Sequence, residues 1–167
     1  MAEKKAEPGT TMTARVGRDK QRYGPKGERL VAGTVPLSPD RTLVLLIQSS
    51  SRKTWVLPKG GWETDEPTCA EAAQRESWEE AGIITSIVAD LGEIEEKRTE
   101  AQIKKYGPAA PRALYRFFEV QVLEEKASWP EGFKRERCWM GWERARSCLE
   151  GRPELLEALE RSSMKRK

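Results

Sequence analysis

A chain of 167 residues with a formal net charge of +3, 34% charged residues and no histidine is one domain by length, with a heavily solvated surface. Its three cysteines, Cys69, Cys138 and Cys148, lack C-x-x-C spacing and histidine partners, which argues against a zinc site or a disulfide framework and for reduced thiols. No apolar run approaches the roughly 18 residues of a membrane span, the MAEKKAEPGTT start lacks the apolar core of a signal peptide, and so modest a charge does not by itself require nucleic acid. The location implied is cytoplasmic or nuclear, with export after removal of a leader as the alternative.

Residues 1–16 are polar and charged and read as a disordered tail, so the folded domain is expected over 17–163, with 164–167 as a basic C-terminal tail. Tyr23-Gly24-Pro25-Lys26-Gly27 is a turn, and Leu30 to Leu37 has the apolar content of a buried strand. Pro39-Asp40 breaks it, and the apolar run Thr42 to Ile47 reads as a central strand. Ser49 to Lys53 is a hydroxyl-rich connection into a short strand, Thr54 to Leu57, which ends in the turn Pro58-Lys59-Gly60-Gly61. Thr68 and Glu71 have the spacing of a capping box, Pro67 suits a helix start and Gly82 a stop, so a helix is predicted from Cys69 to Ala81. Ile84 to Glu95 reads as a strand broken at Gly92, and residues 97–111 as a long polar loop, functional or mobile. Arg112 to Leu123 is a strong strand, and FKRERCWMGW leads through basic residues into a short one. Two helices close the chain, Glu143 to Leu149 and Glu154 to Ser162, the second with Leu155, Leu156 and Leu159 as its apolar stripe. Irregular alternation of strands and helices fits an α/β/α sandwich around a mixed sheet.

On the Cys69 to Ala81 helix, Ala72, Glu76, Glu79 and Glu80 fall within an arc of roughly 100°, opposite Ala70, Ala73, Ser77, Trp78 and Ala81. Like charges three and four residues apart destabilise a helix by about 0.2–0.5 kcal/mol per pair, so this face needs a counter-charge. Carboxylate oxygens suit a hard cation such as Mg²⁺, with Mn²⁺ as a substitute, shared with substrate phosphates. A solvated acidic face on which Arg75 reaches Glu79 is the plainer alternative. The glycine pair upstream favours the metal, because glycine lets a main-chain carbonyl, of Gly60 or Gly61, approach closely.

Gly60 to Ile83 resembles the Nudix box, G-x5-E-x7-R-E-U-x-E-E-x-G-U, where U is bulky and apolar. Five residues separate Gly60 from Glu66; eight, one more than the pattern, precede Arg75-Glu76-Ser77-Trp78-Glu79-Glu80-Ala81-Gly82-Ile83, and Ser77 stands at an apolar position. GRDKQRYGPKGERLVAG, WVLPKGGWETDEP, AQRESWEEAG, FKRERCWM and GRPELLEAL are similar to the fungal diphosphoinositol polyphosphate phosphohydrolases, Nudix enzymes that also cleave diadenosine polyphosphates and share the longer spacer. The similarity runs from about Arg18 to Ser163 and is weakest over 97–111.

This resemblance implies the Nudix fold and Mg²⁺-dependent hydrolysis of phosphoanhydrides. Glu76 and Glu80 are then metal ligands, Glu79 shares a metal or orients the water, Gly60 or Gly61 adds a carbonyl, and Arg75 fixes glutamate rotamers. Without histidine the base has to be a carboxylate or the metal-activated water. Glu66 supports the loop, and Trp62 either stacks on an adenine or caps the core. Arg22, Lys26, Arg29, Arg52, Lys53, Lys59, Arg112, Arg135, Arg137 and Arg152 are candidate phosphate contacts; each alone is an ordinary surface cation, and the resemblance assigns Arg52, Lys59, Arg112 and Arg152 to the polyanion. Ser50, within Ser49 to Ser51, offers donors or is a plain connection. The implied partner is a small polyanion, with no nucleic acid or membrane required, and the implied state a monomer or weak oligomer. Two other readings stand beside this one: a Nudix hydrolase of smaller nucleotides such as ADP-ribose or of capped RNA, and a non-enzymatic polyphosphate-binding module.

Overall fold

The computed structural model describes residues 10–107 and 112–167. The chain runs β1 (Leu30–Leu37), β2 (Val44–Gln48), β3 (Trp55–Val56), β4 (Lys59–Gly61), α1 (Cys69–Ala81), β5 (Ile83–Glu95), α2 (Glu100–Tyr106), β6 (Leu114–Glu125), β7 (Arg137–Met140), α3 (Trp142–Leu149) and α4 (Pro153–Arg161). All seven strands belong to one mixed sheet organised on β1, whose apolar and small residues are paired along both edges. Along one edge β1 runs parallel to β6, from Leu30 opposite Leu114 to Leu37 opposite Gln121. Along the other its first half pairs antiparallel with β4, and Leu37 meets Val44 of β2. The outer strand β5 pairs antiparallel with β6 through three register shifts, one of them at the left-handed Gly92, where φ is +85°.

Successive strand residues face opposite sides, and this alternation divides the core. Val31 and Val35 pack with Phe117, Leu149, Leu155 and Leu159 under α3 and α4. Ala32 packs with Phe118, Val120 and the α1 residues Cys69, Ala72 and Ala73 on the other face. The result is the expected α/β/α sandwich. Small residues on α1 let it lie close to the sheet, and there Ser77 takes the place of an apolar side chain. Its hydroxyl donates to the Ala73 carbonyl at 3.0 Å and lies 2.7 Å from the Thr34 hydroxyl of β1, in a fully buried contact.

Helix α1 has the predicted limits: Thr68 Oγ1 accepts from Glu71 N at 3.2 Å, and Gly82 closes the helix at φ +67° with its N–H on the Trp78 carbonyl. Several other expectations are corrected. Lys59–Gly61 is a strand rather than a turn, held in place by β1 although its glycines carry no strand signal. The polar loop contains α2, with a capping box between Thr99 and Gln102; none of its side chains is buried, so it has no apolar stripe to betray it. Residues 108–111 of that loop lie outside the described residues, as do residues 1–9 of the expected N-terminal tail. From Thr10 the tail lies against α1, where the Thr11 carbonyl accepts from Trp78 Nε1 at 2.8 Å. At the other end, Met164 is buried in the core and Lys165 N donates to the Arg41 carbonyl at 2.8 Å, so the basic tail begins with packed residues.

Ser77→Ala should destabilise the protein by about 1–3 kcal/mol, because it strands the buried Thr34 hydroxyl, whereas Thr34→Val combined with Ser77→Ala removes both hydroxyls and should recover most of the loss. Urea unfolding of the single and double variants checks this, and a double variant no better than the single one contradicts it.

Candidate active site

Arg75 organises the carboxylates around it. Its Nε and Nη2 donate to the two oxygens of Glu66 at 2.8 and 2.9 Å, its Nη1 to Glu79 Oε2 at 2.6 Å, and its Nη2 also to the Gly61 carbonyl at 3.0 Å. Nη1 lies 3.0 Å from Glu76 Oε1 as well. A guanidinium has five N–H groups in a fixed fork, and here they have five oxygen partners. Burial alone would lower the Arg75 pKa, but the bonds to Glu66 and the charges of Glu76 and Glu79 outweigh it and hold the group charged.

Two main-chain N–H groups and one more arginine complete this face. Glu79 Oε1 accepts from Arg15 N at 2.6 Å, so both Glu79 oxygens are engaged. Glu80 Oε2 accepts from Lys59 N at 3.0 Å, and its Oε1 lies 3.6 Å from Arg135 Nη2. Glu76 lies against Gly60, where a Cβ would fall 2.2 Å from its carboxylate carbon; only glycine permits this approach. Burial raises the Glu76 pKa well above the usual carboxylate range, helped by Glu80 and opposed by Arg75. Burial likewise pushes Glu80 up to about 7 against the pull of Arg135 and Lys59, and raises Glu79 against the Arg15 N–H and Arg75. An all-oxygen face whose ionised form is starved of positive charge fits a hard divalent cation such as Mg²⁺. A second acidic group, Glu63, Asp65 and Glu66, is already paired with Arg15 and Arg75.

The carbonyl predicted to join these carboxylates is reassigned by the strand geometry. Thr34 N donates to the Pro58 carbonyl and Trp62 N to that of Leu30. Antiparallel pairs alternate between bonded and non-bonded, so Gly60, opposite Ala32, directs its carbonyl into β1. Lys59 and Gly61 then direct theirs outward, in agreement with Lys59 N on Glu80 and Gly61 O on Arg75. With Gly60 committed to the ladder and Gly61 to Arg75, the outward carbonyl of Lys59 is the candidate for this role.

The basic candidates separate into two sets. Lys59, Arg29, Arg135 and Arg152 come together: burial lowers the Lys59 pKa first, and the nearby charges of Arg152, Arg135 and Arg29 lower it further. Burial also lowers Arg29, whose Nε donates to Gln21 Oε1 at 2.9 Å. The remaining candidates are placed elsewhere. Arg22 lies 4.4 Å over the Trp62 ring and bonds the carbonyls of Thr64 and Glu66, while Trp62 Nε1 donates to Glu66 O; this aromatic ring is covered rather than offered to a base. Arg137 bonds the Ala81 and Lys126 carbonyls, and Arg52, at φ +61°, bonds those of Phe133 and Lys134. Lys26, Ser50 and Lys53 are exposed, and Arg112 lines an open groove with Glu93, Glu157 and Arg161. Sequence reasoning missed Arg15, Gln21, Trp129 and Glu131, which act through contacts to residues far along the chain.

A carboxylate-bearing helix after a glycine strand, on a mixed sheet between helical layers, is the arrangement that the resemblance to the Nudix box implies, and the comparisons with known proteins agree. The NUDIX domain model matches residues 27–161. The chain is 37% identical over 146 residues to Nudix hydrolase 4 of Arabidopsis thaliana, spanning 81% of this chain and 66% of that protein. It is 41% identical over 151 residues to Nudix hydrolase 16, mitochondrial, of the same plant, spanning 80% of this chain and 79% of that one. A NUDIX hydrolase from Nitrosomonas europaea shares the fold, with a TM-score of 0.65 at 16% identity over 80% of this chain and 87% of the other. The chain belongs to the Nudix family. Both of these sequence relatives are plant proteins rather than fungal ones.

A carboxyl with a raised folded-state pKa contributes stability that is present below its unfolded value of about 4.3 and is lost as pH rises through the folded value. With Glu80 at about 7, the melting temperature of the metal-free protein should fall between about pH 5 and pH 8. Glu80→Gln, which cannot ionise, should flatten that slope in scanning calorimetry; an unchanged slope contradicts the assignment.

Proposed function

We propose that this Nudix hydrolase cleaves phosphoanhydride bonds of diphosphoinositol polyphosphates, with diadenosine polyphosphates as further substrates. The observation that carries the reading is the convergence of Arg29, Arg135 and Arg152, from separate segments, on Lys59, with Lys59 and Arg135 also beside Glu80. A lysine depressed first by burial and further by three neighbouring arginines suits a polyanion charged on many sides. The covered Trp62 ring weighs against a site built around a nucleobase, and the retained carboxylates weigh against a non-catalytic module.

In this reading Glu76 and Glu80, with the Lys59 carbonyl, would hold Mg²⁺, and Mn²⁺ could replace it. The cation would neutralise phosphate charge and acidify the attacking water. Glu79, fixed through both oxygens by Arg75 and Arg15, orients that water instead of serving as a principal ligand. Arg75 positions the carboxylates without touching substrate. As water oxygen bonds to phosphorus the bridging P–O bond breaks, and with no histidine in the chain the water proton passes to a carboxylate of this face. Arg152, beside the Tyr115 hydroxyl, and Lys59 grip phosphates away from the reacting one. We also place the protein in the cytoplasm or nucleus, as a monomer or weak oligomer. Its free thiols support that location, and among the described residues no helix is long and apolar enough to cross a membrane.

Side-by-side steady-state assays at fixed ionic strength test the reading, since salt screens such contacts. The expected order of kcat/KM is diphosphoinositol polyphosphate, then diadenosine hexaphosphate, then ADP-ribose. Glu80→Gln should lower kcat by orders of magnitude in a folded protein, and Arg152→Ala should raise KM about tenfold. A preference for ADP-ribose, or an unchanged KM in Arg152→Ala, contradicts the substrate assignment.

A further inference from the structure

Helix α1 carries no basic side chain in its last turn, where a helix leaves four carbonyls without intrahelical partners. Here one distant segment, 126–137, supplies a donor to each. Glu131 N donates to the Glu79 carbonyl at 3.0 Å, Trp129 Nε1 to that of Glu80 at 3.0 Å, Arg137 Nη1 to that of Ala81 at 2.8 Å, and Lys126 N to that of Gly82 at 2.9 Å. The donors are themselves locked together: the Arg137 guanidinium lies 4.2 Å over the Trp129 ring, and its Nη2 donates to the Lys126 carbonyl at 2.7 Å. Gly82 is required both for its φ of +67° and because a Cβ there would fall 2.6 Å from the Trp129 ring. The same segment carries Arg135 to Glu80, and Arg52 ties its far side through the carbonyls of Phe133 and Lys134.

We infer that residues 126–137 are a brace that sets the position of Glu79 and Glu80, with Trp129 and Arg137 as positioning residues for the hydrolysis; the inference rests on the proposed role of the α1 carboxylates. A cap that served only to stabilise the helix would need no link to the active face. Here the two residues whose carbonyls are held by Glu131 and Trp129 are the ones whose side chains form the face. A small displacement of this turn moves both carboxylates together, and their main-chain anchors act as outer-shell supports of the proposed metal site.

Trp129→Phe keeps an aromatic ring, though a smaller one, and deletes the N–H on the Glu80 carbonyl, and Arg137→Lys keeps a charge but cannot bridge two carbonyls in a fork. In the metal-free protein, amide hydrogen exchange at residues 79–83 should quicken in both variants while the rest of the sheet keeps its protection. With substrate and Mg²⁺, kcat should fall about tenfold at an unchanged KM, the lower end of the loss seen when outer-shell partners are removed. Faster local exchange with wild-type kcat, or no change in exchange, would overturn the brace. Glu80→Gln, assayed alongside, separates the two levels: if it too keeps wild-type kcat, the carboxylate reading fails and the brace with it; if it is inactive while Trp129→Phe is unaffected, the brace alone fails.

Discussion

Arg75, only 6% exposed, lies among Glu66, Glu76 and Glu79, and its charge decides whether several enclosed carboxylates and a main-chain strand can share one small volume. A planar guanidinium can meet Glu66 side-on, reach two helix glutamates and still bond the Gly61 carbonyl; a lysine, with one compact charge centre, cannot. Removing one partner from such a buried cluster leaves uncompensated charge, which costs far more than the loss of an exposed pair. The Gly61 bond extends the constraint to the backbone: because Arg75 and β1 both hold β4, Gly60 can lie against Glu76 and Lys59 can offer its N–H to Glu80.

One guanidinium does not offset the burial of the whole cluster, and burial first, with repulsion between the carboxylates added, raises the pKa values of Glu76, Glu79 and Glu80. Across β4 the imbalance has the opposite sign, with Lys59 depressed by burial and by three arginines. Each half is unfavourable alone, and a divalent cation with a polyphosphate would relieve both. Such opposed, partly desolvated fields are a reason for a site to sacrifice stability for binding.

Much of this was legible in local sequence. The caps of α1 lie at Thr68 and Gly82 because their signals act within one turn, and β1 matches its apolar run because both its faces are buried. What escaped was set by distant partners. β4 is three residues long, two of them glycine, and exists because β1 holds it. Residues of like chemistry were also put to unlike uses: Arg135 approaches Glu80, whereas Arg137, two positions later, reaches the end of α1. Arg135 precedes β7 and Arg137 begins it, so strand periodicity, which would put residues two apart on one face, does not govern the pair. Arg15 belonged to a stretch with the composition of a tail, yet its main-chain N–H completes Glu79, and a main-chain donor leaves no compositional trace.

Burial holds the Glu80 carboxyl partly protonated near neutral pH, and a bound cation would ionise it. Calorimetric Mg²⁺ titrations of the substrate-free protein, repeated in buffers of different ionisation enthalpy, read this directly, because the buffer dependence counts the protons released on binding. Clear proton release is expected at about pH 6, and the Glu80 share of it should decline as pH rises through about 7. Mg²⁺ binding with no proton release at the lower pH would contradict it.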